Sequence, residues 1–453
     1  MNRDTSLTRD FTSGNIPRQL MEFALPLYLS NILQIVYQIA DMAIVGQAMG
    51  KIGLSAVSVG GDVSNFMTFF AMGFSNAGQV ILAQYVGAKR QKEIGPLVGN
   101  MLGFIVIGAL FLSAILLSIQ ERVLTLMNTP AESWDGALAY SAVCMSGLVF
   151  VYGYNMMGAI LRGLGDSRHP FLFVSASAIA NVILDLVLVM GFSLGARGAA
   201  IATVMSQALS FFCCAVFLHR NQHRLGFSLH SRDFWQWDAN RIGKLAKLGL
   251  PMAIKGASIQ TSKLFVNSWI NSYGVAVSAF AGVANKLGAM ANLLSNAMNT
   301  AGSSMVGQNL GAGKFRRVTR IMQVIFVVGL SIASVLSLIL WFWPEAVYGI
   351  FTDETEVLLI GMAYRPIGVL IFFGSACRSP MNALIDGSGN ATMNFCTALF
   401  DGILLRIGLS VLFGLWLGMG YQGFWLGDAL AGFTPLWLGA AFYWSGRWKK
   451  KIV

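Results

Sequence analysis

Charge is what this sequence has least of. Of its 453 residues, 11% are Asp, Glu, Lys or Arg, against about 25% in a soluble globular chain. Such a chain cannot cover its surface for water, so the solvent it expects around its middle is lipid. Cysteine is also sparse. Cys144, Cys213, Cys214, Cys377 and Cys396 all fall in apolar stretches and none forms a CxxC pair, which argues against a disulfide framework or a zinc site. His169, His219, His223 and His230 lie between the apolar runs, so a histidine proton relay inside the membrane is not expected. There is no P-loop GxxxxGK[ST], so no ATP-driven pump is encoded here, and no HExxH occurs. The glycine pairs near 163 and 387 follow no strand and are no dinucleotide fingerprint. Nor is a cleavable signal peptide expected, because the first 17 residues are polar and the run after them is long enough to span. The reading is of a protein that is not an enzyme and needs no cofactor.

What is present is apolar length. More than half of the residues are hydrophobic (55%) and 50 are glycine, the small residue that lets helices approach closely in a membrane. Runs of about 20 apolar residues, separated by turn residues and charges, cover 18–44, 53–82, 96–118, 138–161, 170–190 and 196–218. A second set covers 243–271, 277–306, 318–342, 357–385, 393–415 and 421–446. Only helices and closed barrels satisfy their backbone in lipid, and these runs are too long and too evenly apolar for barrel strands. With both termini inside, the inside segments carry 22 Lys and Arg, including Arg3, the six from Arg220 to Lys247, and Lys451. The outside loops carry only Lys51, Arg122 and Arg197. That asymmetry obeys the positive-inside rule and supports an even number of spans. The net charge of +11 therefore reads as orientation in a bilayer, not as a nucleic-acid surface.

The two sets repeat each other. Gln84 to Lys89 echoes Gln308 to Lys314, and Gly163 to Ser167 echoes Gly387 to Asn390. Gly195 to Gly198 echoes Gly420 to Gly423, and Pro26 matches Pro251, every offset being 224 or 225 residues. The expected fold is an all-α integral membrane protein of 12 transmembrane helices in two parallel-repeat six-helix lobes, 1–218 and 243–453, joined by an inside loop at 219–242. Transporters commonly bind at such a repeat interface and rock about it, and a channel would not require the duplication.

Acidic residues inside apolar helices are the sharpest functional signal, because Asp and Glu at the bilayer centre are costly. Asp41 and Asp185 stand out. Gln34, Tyr37 and Asp41 share one face of the first helix, and Asn181 lies one turn before Asp185 on the fifth. A polar stripe on an otherwise greasy helix faces protein or water. It can be a cation or proton site, or a hydrogen-bond network holding helices together. A carboxyl group buried in a bundle can hold a proton near neutral pH and release it on rehydration. Two carboxylates with amide and hydroxyl oxygens also suit Na⁺, so H⁺ or Na⁺ is the expected coupling ion. The second half carries Lys255, Lys263 and Lys286 within its first two helices, and Asp401, Arg406 and Asp428 in or near its last two. These read either as paired charges and snorkelling ends or as a substrate surface of mixed charge, with Gln260, Lys263 and Lys286 as candidate contacts. Three lysines facing a cleft would disfavour a purely cationic substrate.

Four stretches resemble the multidrug and toxic compound extrusion (MATE) transporters: Tyr37 to Gly46, Gln84 to Lys89, Leu161-Arg-Gly-Leu-Gly-Asp-Ser167, and Asn181 to Asp185 with Gly198 to Thr203. The resemblance implies antiport, with H⁺ or Na⁺ entering as a drug-like molecule leaves, and a V-shaped pair of lobes. By motif it places the coupling site at Asp41, Asn155, Asn181, Asp185 and Thr203. One feature departs from it. Some branches carry a Glu eight residues after Gly-Leu-Pro, and here Gly249-Leu-Pro251 is followed at that spacing by Ile259, then Gln260. An acid site in the second lobe is therefore not expected. Export of lipid-linked or anionic substrates is the alternative reading. The expected partners are a small-molecule substrate and the lipid bilayer, with no nucleic acid. The expected state is a monomer in the inner (plasma) membrane with both termini cytoplasmic.

Overall fold

The computed structural model describes residues 7–450. Arg3 and Lys451 of the basic count lie outside them. The described residues form helices and turns, with no strand among them.

α1 (Ile16–Gly87) is 72 residues long. At about 1.5 Å per residue it would reach over ~100 Å, against a hydrocarbon core of about 30 Å, so it cannot be one crossing. Gly50, at φ 62° and ψ −154°, breaks it into the first two spans through a conformation open essentially to glycine alone. α2 (Gln91–Leu126) is the third span. α3 (Trp134–Ser146) and α4 (Leu148–Gly163) form the fourth, bent by 48°. α5 (Arg168–Asp185) runs on into a π-turn at Leu186–Gly191, and α6 (Gly195–Asn221) completes the first half. The second half opens with α7 (Ala239–Asn271), α8 (Val275–Gly311) and α9 (Phe315–Phe342), followed by the short α10 (Pro344–Gly349) and then α11 (Thr355–Ser388). α12 (Ala391–Leu399) and α13 (Leu405–Val411) make one span through π-turns at Phe400–Leu404 and Leu412–Trp416. α14 (Gly420–Ala431) and α15 (Thr434–Trp444) share the last. Seven of these helices, or eight with the bent pair, are long and apolar enough by themselves to cross a membrane. α7 and α8 have the length, but lysines and asparagines interrupt them, and α14 and α15 are too short to cross singly.

The chain divides into two compact units. Of the described residues, the first holds Leu25–Ala253 with 7–10, and the second holds Phe11–Ala24 with 254–450. The segment 219–242 belongs to the first unit for a physical reason. Asn100 Nδ2 donates to Asp233 O at 2.9 Å and to Gln236 O at 3.0 Å, while its Oδ1 accepts from Asp238 N at 2.9 Å. Gly95 and Gly99 let that segment lie directly on α2, since a Cβ at Gly99 would stand 2.6 Å from Asp233 backbone atoms. In the same unit the Gly163–Ser167 motif is a turn and a cap. Gly165 takes φ 91°, and Asp166 Oδ1 accepts from the backbone of Arg168 at 3.0 Å and His169 at 3.2 Å at the start of α5, satisfying donors a helix start leaves open.

The N-terminal stretch belongs to the second unit. Phe11 N donates to Gln308 Oε1 at 2.9 Å, and Phe11 O accepts from Asn309 Nδ2 at 3.1 Å and Arg317 Nε at 2.8 Å. This unit is built round α11, which lies against α8 through small residues. Ser379 Oγ donates to Ser295 O and Ser295 Oγ to Ser375 O, the close hydroxyl-rich contact that joins helices in lipid. Phe280 fills the centre, packed edge-on against Tyr348, Tyr364 and Trp425 at 5.2, 5.2 and 5.6 Å between ring centroids.

Candidate functional site

In the first unit two carboxylates meet. Asp41 comes from the first half of α1 and Asp185 is the last α-helical residue of α5, and their carboxyl groups interact directly. Asp185 is fully buried and Asn181, one turn earlier, is 2% exposed. Apart from the facing carboxylate, neither oxygen of Asp185 has a hydrogen-bond partner among the described residues, nor do Asp41 Oδ1 and the two polar atoms of Asn181. Buried polar atoms are nearly always paired, so five orphans on three neighbouring side chains form a set that a proton, a water or a small cation would complete. The π-turn begins at the residue after Asp185, and such turns recur at functional sites.

The surroundings are polar on one side. Tyr37 and Tyr140 both lie in the field of Asp41. Tyr140 of α3 sits against Thr203 of α6 and against Cys144, which in turn meets Ser64 from the second half of α1. The structure thus gathers Asp41, Asp185, Asn181, Thr203 and Tyr37 in one region. No hydrogen bond ties Asn155 or Gln34 to them among the described residues. The Asn155 amide donates to Val151 O in its own helix at 2.8 Å, and no hydrogen bond from it reaches either carboxylate. Gln34 makes no side-chain hydrogen bond among the described residues. Tyr140, Cys144 and Ser64 were not anticipated. Tyr140 and Cys144 stand one turn apart on α3, a polar pair that the i, i+4 rule could have singled out.

The second unit holds a denser group of charges. Asp401 lies in the π-turn of Phe400–Leu404 and is clasped from two sides, by Arg378 Nη2 of α11 at 2.7 Å and Arg406 Nη2 of α13 at 2.9 Å. Arg406 Nη1 also donates to Asp428 of α14. Asp401 and Arg406 are buried to 0% and 2% exposure. Lys263 of α7 shares the electrostatic field of all four but forms no ion pair or hydrogen bond of its own among the described residues. Of the other two lysines, Lys255 pairs with Asp386 at 3.0 Å, and Asn299 Nδ2 donates to the other oxygen of that carboxylate at 3.1 Å. Lys286 is exposed, 5.5 Å above the Phe351 ring, and Gln260 is exposed too. Only Lys263 of the three candidate contacts belongs to the charged cluster. Arg378 was not anticipated, although an arginine in the middle of an apolar span is itself a signal.

A chain of twelve membrane-crossing helices in two halves, with unpaired carboxylates buried in one and an ionic cluster in the other, has the architecture of a membrane transporter. The MatE family model matches it twice, at residues 26–187 and 251–412, and the chain belongs to the MATE transporter family. It is similar to the probable multidrug resistance protein YpnP of Bacillus subtilis, with 27% identity over 97% of each chain. It is likewise similar to the probable multidrug resistance protein NorM of Thermotoga maritima, with 24% identity over 97% of this chain and 94% of the relative. Among solved structures it overlays on a MOP superfamily transporter from Pyrococcus furiosus, whose description reports a binding pocket of reversed polarity, with a TM-score of 0.89 at 18% identity over the whole of both chains. That likeness fixes the fold. The protein is a membrane transporter and not an enzyme.

The double match sets the two halves 225 residues apart. At that offset Arg406 stands for Asn181, Ser410 for Asp185, Asp428 for Thr203 and Val266 for Asp41. The π-turn at Leu412–Trp416 answers the one at Leu186–Gly191. The π-turn at Phe400–Leu404 has no counterpart, because residues 175–179 are regular helix within α5. Duplication has therefore kept the frame and changed the chemistry.

Proposed function

We propose that the protein is a secondary antiporter that exports drug-like organic molecules in exchange for H⁺ or Na⁺, with Asp41 and Asp185 as the coupling pair. The observation that carries this reading is the facing of two carboxylates that are otherwise short of hydrogen-bond partners. Two negative charges held together away from water repel, and a shared proton or a bound cation relieves the repulsion. Either ion therefore changes the energy of the site by a large amount when it arrives and when it leaves. Asn181 and Thr203 supply further oxygens, and Tyr37 and Tyr140 supply hydroxyls.

Coupling follows from alternation. In the outward-open state the pair takes up a cation as the substrate leaves. Rocking of the two six-helix halves then exposes the pair to the cytoplasm, where the cation dissociates and substrate binds. An inward charge gains about 2.3 kcal/mol per 100 mV of membrane potential. The location that fits is the plasma membrane with both termini cytoplasmic, and a single chain carries the whole site. The relatives named for multidrug resistance support drug-like cargo.

The test is ethidium movement in proteoliposomes, driven separately by an imposed pH gradient and an imposed Na⁺ gradient, for the native protein and Asp185→Asn. Movement under one gradient, lost in the variant, names the ion and supports the reading. If neither gradient moves the dye, drug export is the wrong function and the alternative, lipid-linked or anionic cargo, takes its place.

A further inference from the structure

Resting on the transporter reading, we infer that the ionic cluster of the second unit is a substrate subsite for an anionic group, a carboxylate or phosphate on the transported molecule. Three cations, Lys263, Arg378 and Arg406, share this region with two acids, Asp401 and Asp428. With the acids ionised, one positive charge is left over. A cluster serving only to hold helices together would pair each charge, since an uncompensated charge away from water is costly. Here the surplus has an address. Lys263 has no ion pair or hydrogen bond among the described residues, and Arg406 Nε, on a side chain 2% exposed, has no partner either.

The remaining geometry fits a ligand. The cluster is not sealed: Asp428 keeps 26% and Arg378 13% of its side-chain surface open, and Lys263 is only half-buried. Arg378 uses one guanidinium nitrogen on Asp401, so its fork retains donors for a second oxyanion. The added π-turn at Phe400–Leu404 places Asp401 between the two arginines and is tied to α7 by Ser262, whose hydroxyl donates to Gly402 O. Lys263 follows Ser262 directly on α7. A group bringing two or three oxygens and a negative charge would satisfy Lys263 and the spare arginine donors together. A cationic group would instead meet the unpaired Lys263 ammonium.

The test uses the purified full-length protein in phosphatidylcholine nanodiscs. Calorimetry compares 1-naphthyl phosphate and 1-naphthoate with uncharged 1-naphthol. At least tenfold tighter binding of both anions is expected, with a tenfold or greater loss in Lys263→Ala and recovery of most of it in Lys263→Arg. Equal binding of all three probes, or unchanged binding in Lys263→Ala, overturns the assignment. Should Lys263→Ala fail to give a single size-exclusion peak, Lys263→Gln reads the same loss. Repeating the titration in nanodiscs containing phosphatidylglycerol separates the sources. Competition places a lipid headgroup in the subsite, and its absence leaves a soluble organic anion. Ethidium movement in the same preparation tests transport separately. Gradient-driven dye movement without anion preference overturns the subsite and leaves antiport standing. Anion binding without dye movement does the reverse.

Discussion

Arg406 reaches Asp401 at 2.9 Å although the two lie five residues apart along one span. On a regular α-helix residues five apart point about 140° away from each other. The π-turn at Phe400–Leu404, with its i→i+5 hydrogen bonding, turns them back toward one side. The backbone irregularity and the ion pair are thus one feature, and both are missing from the matching stretch of α5.

Breaking that feature is expected to be expensive. Arg406→Met strands Asp428 and half of the clasp on Asp401, and removing one partner of a buried pair costs about 3–5 kcal/mol. Thermal unfolding in detergent should show a fall of several degrees or more. The control is Arg18→Ala at the exposed Arg18–Glu22 pair, where no measurable change is expected.

Asp185→Asn should separate stability from transport. Neutralising one of two facing carboxylates removes their repulsion, so the unfolding midpoint is expected to rise. Gradient-driven dye movement is expected to fall more than tenfold in the same preparation. A variant that unfolds earlier than the native protein would show that the pair is structural.

Asn100→Ala should loosen the connector between the halves. Three hydrogen bonds to residues 233–238 disappear with one side chain, leaving buried backbone groups unpaired at about 1–3 kcal/mol each. Limited trypsin digestion is the measurement. Cleavage after Arg232 or Arg241 should accelerate about tenfold, with sites elsewhere unaffected.

Two glycines of the second half make a matched pair. A Cβ at Gly427 would stand 2.3 Å from Ser410 N, so Gly427→Ala must push α14 off α13 and should cost about 1–3 kcal/mol. At Gly408 nothing lies within 4 Å, so Gly408→Ala should be neutral or slightly stabilising through helix propensity. The comparison of unfolding midpoints checks both.

Span number, duplication and the Asp41–Asp185 candidates were legible because lipid imposes length, charge asymmetry and a high cost for buried acids. The one-residue break at Gly50 was less so, since a conformation at φ 62° leaves no trace in hydropathy. Asn155 came from motif resemblance, and its amide nitrogen bonds within α4. The ionic cluster was only half legible. Asp401, Arg406 and Asp428 were visible as charges in apolar sequence, but which cation meets which acid depends on the extra π-turn and on the approach of α7, α11, α13 and α14. Sequence spacing on a uniform helix would have turned Arg406 away from Asp401.

The break at Gly50 also bears on how the chain is made. The first two spans meet at a single residue rather than a loop, so almost nothing hydrophilic has to be carried across the bilayer between them. Two spans joined so closely are expected to enter the bilayer together, because no polar segment separates them. An epitope inserted there would have no slack to occupy, and a protease on that side would find no exposed strand to grip.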